Sequence, residues 1–442
     1  MVFSLKIALI VILGFGFMFT KDNYFLNKYI NSQQKIDGFL LIALTANIKD
    51  IRQELKKYNL AIDDKRVYNL YKLQGKAEIC RSKILPITGS DENIEEAKTL
   101  IGKNGIISAN KEVKWHVNGE SAPDNRKRIN LIPIIESEFD RNVDPIKFLD
   151  NLPEQKTETT IAILDTGIYN TKKQIGEFKD RILKGFNFVE NNKDLNDKFD
   201  NDLAHDPNPF FHGSEVATIA ASSNFGVSHK SKVLPIKVCD DRGDCLASRV
   251  VKGLCYALGQ TKDLNTLVFN LSFGGFDPIL PVEEILSEAI EKGSLVAVAA
   301  GNKSQLIEDK PISGDQYYPA AYSATLKGMI AVTAAEYQKS SSGDGRWEYS
   351  DNINLRLPNG SDKSYITAPG QIYEDLNSYD KIGTSLATPL VSGALALKRS
   401  YCKESKPETI RDEILKAARY NRNYRYYDNG MLLISNKIFF CH

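Results

Sequence analysis

Five short, largely apolar runs limit this chain to a sheet covered on both faces. They are Ile161-Ala162-Ile163-Leu164, Val233 to Val238, Thr266 to Leu271, Leu295 to Ala300, and Met329 to Thr333. None shows the polar alternation of a strand with one wet face, so both faces need cover, as in a parallel sheet. The cover is encoded between them. Val216, Ala217, Ile219 and Ala220 recur at helical spacing, as do Val250, Val251, Leu254, Ala257 and Leu258. An Ile285 to Ile290 helix stops at Gly293, and Ser385 to Lys398 and Pro407 to Ala418 read as two more. Strand and helix alternating in this way predict an α/β fold with a doubly wound parallel sheet.

Sheets of that kind keep their chemistry at the carboxyl ends of the strands. The first run ends in Asp165-Thr166-Gly167-Ile168, which puts a carboxylate at that edge. His212 opens the helix of Phe211-His212-Gly213-Ser214-Glu215. Gly383-Thr384-Ser385-Leu386-Ala387-Thr388-Pro389 places a serine where a glycine-led turn becomes an Ala/Gly-rich helix, beside N–H groups at the positive helix end. A histidine can take that serine's proton while an aspartate holds the other ring nitrogen. Asn302, after the Leu295 run and Gly301, can donate to an oxyanion together with the Ser385 N–H. Ser272-Phe273-Gly274-Gly275 leaves backbone groups for an extended peptide to pair with as an added strand. Read singly, Asp165 is a turn residue, Ser385 an N-cap and Asn302 a turn former, and His205 and His229 are satisfied loop histidines. The argument rests on their conjunction.

Over roughly Thr159 to Phe440 the chain resembles the subtilisin-like serine proteases. The likeness rests on five segments in the family's order: Asp-Thr-Gly-Ile at Asp165, His-Gly-Ser at His212, Ser-Phe-Gly-Gly at Ser272, Ala-Ala-Gly-Asn at Asn302, and Gly-Thr-Ser-Leu-Ala-Thr-Pro at Ser385. The resemblance implies that Asp165 orients, His212 acts as base then acid, Ser385 attacks, and Asn302 stabilises the oxyanion. Three positions depart from the family's habit. Glu215 stands where a second histidine is common, Leu386 replaces Met, and Leu390 replaces His. None removes a proton-transfer group. Glu215 lies one turn from His212 and either raises the imidazole pKa or serves the first turn of the helix.

A separate unit is expected over 35–118. Phe39 to Leu44 reads as a strand; Ile48, Ile51, Leu55 and Tyr58 follow as a helix; Val67 to Ile79 and Lys83 to Thr88 read as strands. Ser90 caps a second helix, and Ile106 to Val117 closes as a strand. That β-α-β-β-α-β order suggests a small ferredoxin-like α+β domain. It looks like the pro-region of subtilisin-like zymogens, which implies an intramolecular inhibitor; an accessory domain that stays attached is the alternative. Residues 119–130 read as a linker and 131–442 as the catalytic domain. Processing at Arg126-Lys127-Arg128 and removal nearer Asn118 are both open.

Lys6 followed by Ile7 to Phe19 reads as an export signal in residues 1–20, either cleaved or kept as an anchor. A secreted, periplasmic or cell-envelope protein is expected. The 57 basic and 56 acidic residues give no reason to invoke nucleic acid, and a monomer is expected. Six cysteines in an exported chain permit bridges. Cys239 and Cys245 flank a turn-rich loop and form the first choice, and Cys402 with Cys441 the second. Cys255 reads as a core thiol, and Cys80 lies in the N-terminal unit. No cofactor is required. Asp194, Asp197, Asp200 and Asp202 form an oxygen-rich stretch that suits calcium, though solvated charge is the plainer reading. Pocket walls are expected from loops such as Ile312 to Pro319. The resulting expectation is a serine endopeptidase acting on polypeptide through an acyl-enzyme. A weakly catalytic peptide binder and an esterase using the same triad are the alternatives.

Overall fold

The structure, a computed structural model, describes residues 38–117, 155–168, 178–197, 212–223, 226–302, 316–339, 345–349, 364–375 and 378–419, with Leu432 and Cys441. The export segment, the 119–130 linker, His205, Asp200 and Asp202 lie outside the described residues.

The N-terminal unit holds β1 (Gly38–Ile42), α1 (Ile48–Lys56), β2 (Ala61–Ile62), β3 (Tyr68–Asn69), β4 (Lys83–Thr88), α2 (Asp91–Ala97), β5 (Ile106–Lys111) and β6 (Lys114–Val117). An antiparallel sheet runs β2-β4-β1-β5, with β3 also on β4. Both helices have side-chain caps, the second from Ser90 as expected. Asn47 accepts from the Lys49 N–H at 3.0 Å and Ser90 from the Asn93 N–H at 3.2 Å. Two expectations are corrected. Val67 to Ile79 is not one strand: beyond Tyr68–Asn69 it coils into short 3-10 turns, broken where Gln74 takes a left-handed φ of 55°. Its apolar side chains had suggested a sheet, but Leu70, Ala77, Ile79 and Cys80 are buried against the larger unit instead. Ile106 to Val117 is two strands, and β6 leaves the sheet altogether.

The larger unit is built on β7 (Thr160–Asp165), β8 (Phe186–Asn187), β9 (Lys232–Lys237), β11 (Leu267–Leu271), β13 (Leu295–Ala299), β14 (Met329–Lys339), β15 (Gly345–Tyr349) and β16 (Tyr365–Pro369). These eight run β15-β14-β13-β11-β7-β9-β8, with β16 also on β14. All pairs are parallel except β14 with β15. From β7 the chain goes to β8 at the edge, returns as β9 between β8 and β7, then crosses to β11, β13 and β14 on the other side. That reversal opens a crevice at the carboxyl end of β7.

Alternation within the apolar runs sorts their side chains to two cores. Ile161, Ile163, Val268 and Ala297 face α3 (His212–Ala221) and α6 (Thr384–Tyr401). Ala162, Leu164, Phe269 and Val298 face α4 (Ala247–Gln260) and α5 (Leu280–Glu291). The last described helix is α7 (Pro407–Arg419), and β17 (Gln371–Asp375) with β18 (Ser378–Ile382) forms a hairpin before α6. Two small strands, β10 (Asp244–Leu246) and β12 (Phe273–Gly274), flank β6 in a separate three-stranded sheet.

Cys239–Cys245 and Cys402–Cys441 are bonded as expected. Cys255 corrects the core-thiol reading: it is bonded to Cys80 across 175 residues, joining the N-terminal unit to α4. Spacing carried no signal of this pair because the bond follows from docking. Among the described residues no helix is long and apolar enough to cross a membrane.

Candidate active site

Asp165 ends β7 with its side chain fully buried, and His212 is the first residue of α3. Asp165 Oδ1 meets His212 Nδ1 at 2.8 Å and also accepts from the Thr166 N–H at 2.7 Å. Burial disfavours the imidazolium. The charge and hydrogen bond of Asp165, with smaller help from Glu215 and Asp197, outweigh that burial and raise the His212 pKa above its ordinary value. A base with a raised pKa and one nitrogen anchored on a carboxylate is suited to taking a hydroxyl proton through the other nitrogen.

The α3 start is braced from below. Thr166 Oγ1 accepts from the Gly213 N–H at 2.9 Å. Asp197 Oδ2 accepts from the Ser214 N–H at 3.0 Å and from Ser214 Oγ at 2.7 Å. Burial pushes the Asp197 pKa up to about 6 against the pull of those hydrogen bonds. Among the described residues no cluster of three His, Cys, Asp or Glu side chains is placed to hold a metal ion.

Ser385 lies in the first turn of α6, fully buried, and α6 packs on α3 through Ile219 and Leu386, with Leu390 beside them. Pro389 explains part of this arrangement. It lacks the N–H that would bond the Ser385 carbonyl four residues back. Ser272 Oγ donates to that carbonyl instead, at 2.9 Å. Asn270 Nδ2 donates to Ser272 Oγ at 2.9 Å, and Ser392 Oγ donates to Asn270 Oδ1 at 3.1 Å. The end of β11 is thereby stitched to two turns of α6. Thr166, Asn270, Ser392 and Asp197 were missed as positioning groups because nothing in their spacing connects them. The one signal in the sequence is Pro389, which needs a substitute donor and so points to the Ser272 hydroxyl that Asn270 and Ser392 support.

Asn302 follows β13 and Gly301, whose φ of +96° turns the chain out of the strand. Asn302 Oδ1 accepts from the Thr384 N–H at 3.1 Å and from Thr384 Oγ1 at 2.9 Å. This fixes the amide beside the residue that precedes Ser385, with its NH₂ end opposite Thr384.

The Ser272 to Gly275 segment carries an added strand from the same chain. β6 pairs antiparallel with β12, Val117 opposite Phe273 and His116 opposite Gly274. On its other side β6 pairs with β10. Trp115 is 1% exposed, lies 6.0 Å from the Phe273 ring in a stacked arrangement, and donates from Nε1 to the Asp277 carbonyl at 3.1 Å. Gly275 makes room, since a Cβ there would lie 2.5 Å from the indole. Tyr318 pairs with Gly275, and Tyr317 packs behind Gly274; the earlier part of the expected 312–319 wall lies outside the described residues. The described pairing of β6 does not extend to Gly301.

The family model for subtilases (Peptidase S8) matches residues 156–432. "Subtilisin amylosacchariticus" of Bacillus subtilis subsp. amylosacchariticus is 31% identical over 226 residues, which is 50% of this chain and 54% of that protein. The chain thus matches about half the length of that relative. "Intracellular serine protease" of Paenibacillus polymyxa is 28% identical over 287 residues, covering 62% of this chain and 78% of that protein. The crystal structure of fervidolysin from Fervidobacterium pennivorans, described as a keratinolytic enzyme related to subtilisin, aligns at a TM-score of 0.57 and 18% identity. It covers 91% of this chain and 61% of its own, a likeness of fold. With the matched segment taking in the buried Asp165–His212 pair, the helix of Ser385 and the braced Asn302, the chain belongs to the subtilase family.

Proposed function

We propose that the protein is a serine endopeptidase made as an inactive precursor. The observation that carries this reading is the buried 2.8 Å contact of Asp165 with His212 on a helix packed against that of Ser385. His212 takes the Ser385 proton as Oγ attacks a peptide carbonyl. Asn302 and the Ser385 N–H stabilise the oxyanion. His212 then protonates the leaving amine, and water hydrolyses the acyl-enzyme. Ser272, Phe273, Gly274, Gly275 and Gly301 form the substrate platform, with Phe273 and Gly274 pairing to the substrate backbone as they now pair to β6.

Residues 35–118 act as a ferredoxin-like pro-region that inhibits by lending β6 to the cleft. The sheet order β2-β4-β1-β5 supports that fold. The register supports a boundary near Asn118, since Val117 is opposite Phe273 while Arg126 is nine residues further along the chain. Residues 119–130 remain a linker and 131–442 the catalytic domain. The three disulfides favour an oxidising, exported setting. A monomer is the working state, and calcium is an optional stabiliser outside the chemistry. The test is a fluorophosphonate probe applied after the linker is cut in a Cys80→Ser/Cys255→Ser chain and the N-terminal unit is separated from the rest. Labelling that disappears in Ser385→Ala supports the enzyme; absent labelling supports a peptide binder. Casein hydrolysis supports the peptidase, and hydrolysis of small non-peptide esters with casein left intact supports the esterase.

A further inference from the structure

Cutting the linker breaks one of two covalent connections between the units. The other is Cys80–Cys255, which no cut between 118 and 154 touches. It sits in a second footing, apart from β6. Leu70 and Ile79 share one core with Leu254 and Leu258 of α4. The Glu78 N–H donates to Glu288 Oε1 of α5 at 2.8 Å, and Lys292 Nζ donates to the Lys76 carbonyl at 2.6 Å. Lys76 Nζ donates to the Lys262 carbonyl at 2.6 Å, and Lys252 Nζ lies 4.5 Å from the Tyr68 ring centroid. Both cysteines are fully buried, which shields the bond from solvent thiols while this footing is docked.

We propose that the N-terminal unit is not lost on processing: it persists as a second chain, disulfide-linked through Cys80–Cys255, and keeps returning β6 to the cleft until that bond is reduced. This rests on the protease reading above. The tether makes rebinding intramolecular, at an effective concentration of order mM. Against that, a strand-and-footing affinity of about 1 µM leaves roughly one cleft in a thousand open. A small-molecule or protein thiol supplies the release. One thiolate attacks a sulfur of the bridge, forming a mixed disulfide and freeing the other cysteine as thiolate. A second thiol then resolves the mixed disulfide, so two thiols become one external disulfide and the bridge becomes two thiols. Burial makes the segment 70–82 lift from α4 and α5 before the attack, so release is gated by that opening.

The experiment uses the full chain with a recognition sequence for a site-specific protease placed in 119–130, so that cutting does not depend on self-processing. In a Ser385→Ala chain, the cut fragments should migrate together on a denaturing gel without reductant and apart with it. Fragments that separate without reductant overturn the proposal. In chains with Ser385 intact, the cut parent is compared with cut Cys80→Ser/Cys255→Ser, because a dithiol would also attack Cys239–Cys245 and Cys402–Cys441. Casein hydrolysis per molecule should stay flat on dilution for the parent and rise by about tenfold or more for the double variant. Equal activity of the two at every dilution overturns retained inhibition. Absence of hydrolysis and of fluorophosphonate labelling in both chains counts against the protease reading alone, and the gel still decides the tether. The gel comparison needs no cysteine variant, so a double variant that fails to fold does not remove the test.

Discussion

Replacing Ser272 with alanine tests whether the nucleophile's helix depends on a substitute for one missing backbone N–H. Ser272 Oγ donates to the Ser385 carbonyl and accepts from Asn270 Nδ2, and all three residues are fully buried. Removing the donor from a buried carbonyl costs about 1–3 kcal/mol, and stripping the acceptor from the Asn270 amide adds about 1 kcal/mol, for a total of roughly 2–4 kcal/mol. The assay is urea unfolding followed by far-UV circular dichroism, under non-reducing conditions and in a Ser385→Ala background that prevents self-digestion. A double-mutant cycle with Pro389→Ala sharpens it. Alanine restores the N–H that reaches back to residue 385, so the Ser272→Ala cost should shrink by about 1–2 kcal/mol in that background. A Ser272→Ala cost below about 0.5 kcal/mol, or one unchanged by Pro389→Ala, refutes the reasoning.

Other expectations concern the imidazole, its supports and the strand in the cleft. Asp165→Asn should lower kcat by about 10⁴, a figure drawn from triads of this type, and move the acidic limb of kcat/KM to lower pH; an unmoved limb argues against coupling. Glu215→Gln should shift that limb in the same direction while kcat is preserved, because Glu215 raises the His212 pKa without touching Asp165's hydrogen bond. Since His212 is raised in the fold, its contribution to stability is present below its ordinary 6.5 and fades as pH climbs through the native value. Asp197, raised from 3.8 to about 6, likewise favours the fold at low pH and loses that contribution between those values. Asp197→Asn should flatten this fall in unfolding free energy, and a fall that persists unchanged assigns it to another group. Trp115→Ala removes the stacked, buried anchor of β6, at a packing cost of about 3–5 kcal/mol. Fluorophosphonate labelling of the uncut chain should then rise, and unchanged labelling would mean that β6 does not guard the cleft.

Much of the site was legible because each part is local. Asp165, Asn302 and Ser385 end strands or begin a helix, and strand ends are marked by an abrupt change of polarity. Glu215 is instructive: its spacing from His212 allowed two roles, and its charge does raise the imidazole pKa. The 67–79 segment misled because burial against another unit produces the same apolar spacing as burial in a sheet. The departure of β6 was invisible for a related reason. Val113, Trp115 and Val117 alternate as a strand should, but alternation does not say which sheet receives the strand.

Amino-acid order alone determined the parallel sheet, the two helical layers, and the strand and helix ends that carry Asp165, His212, Ser385 and Asn302, because these follow from local periodicity and turn chemistry. Tertiary structure alone decided that Cys80 reaches Cys255, that Ser272 replaces Pro389's missing N–H, and that β6 pairs between β10 and β12. Each of these joins groups separated by about a hundred residues or more. Such contacts depend on how whole units dock, and docking is set by matched shape and burial that no short window of sequence contains.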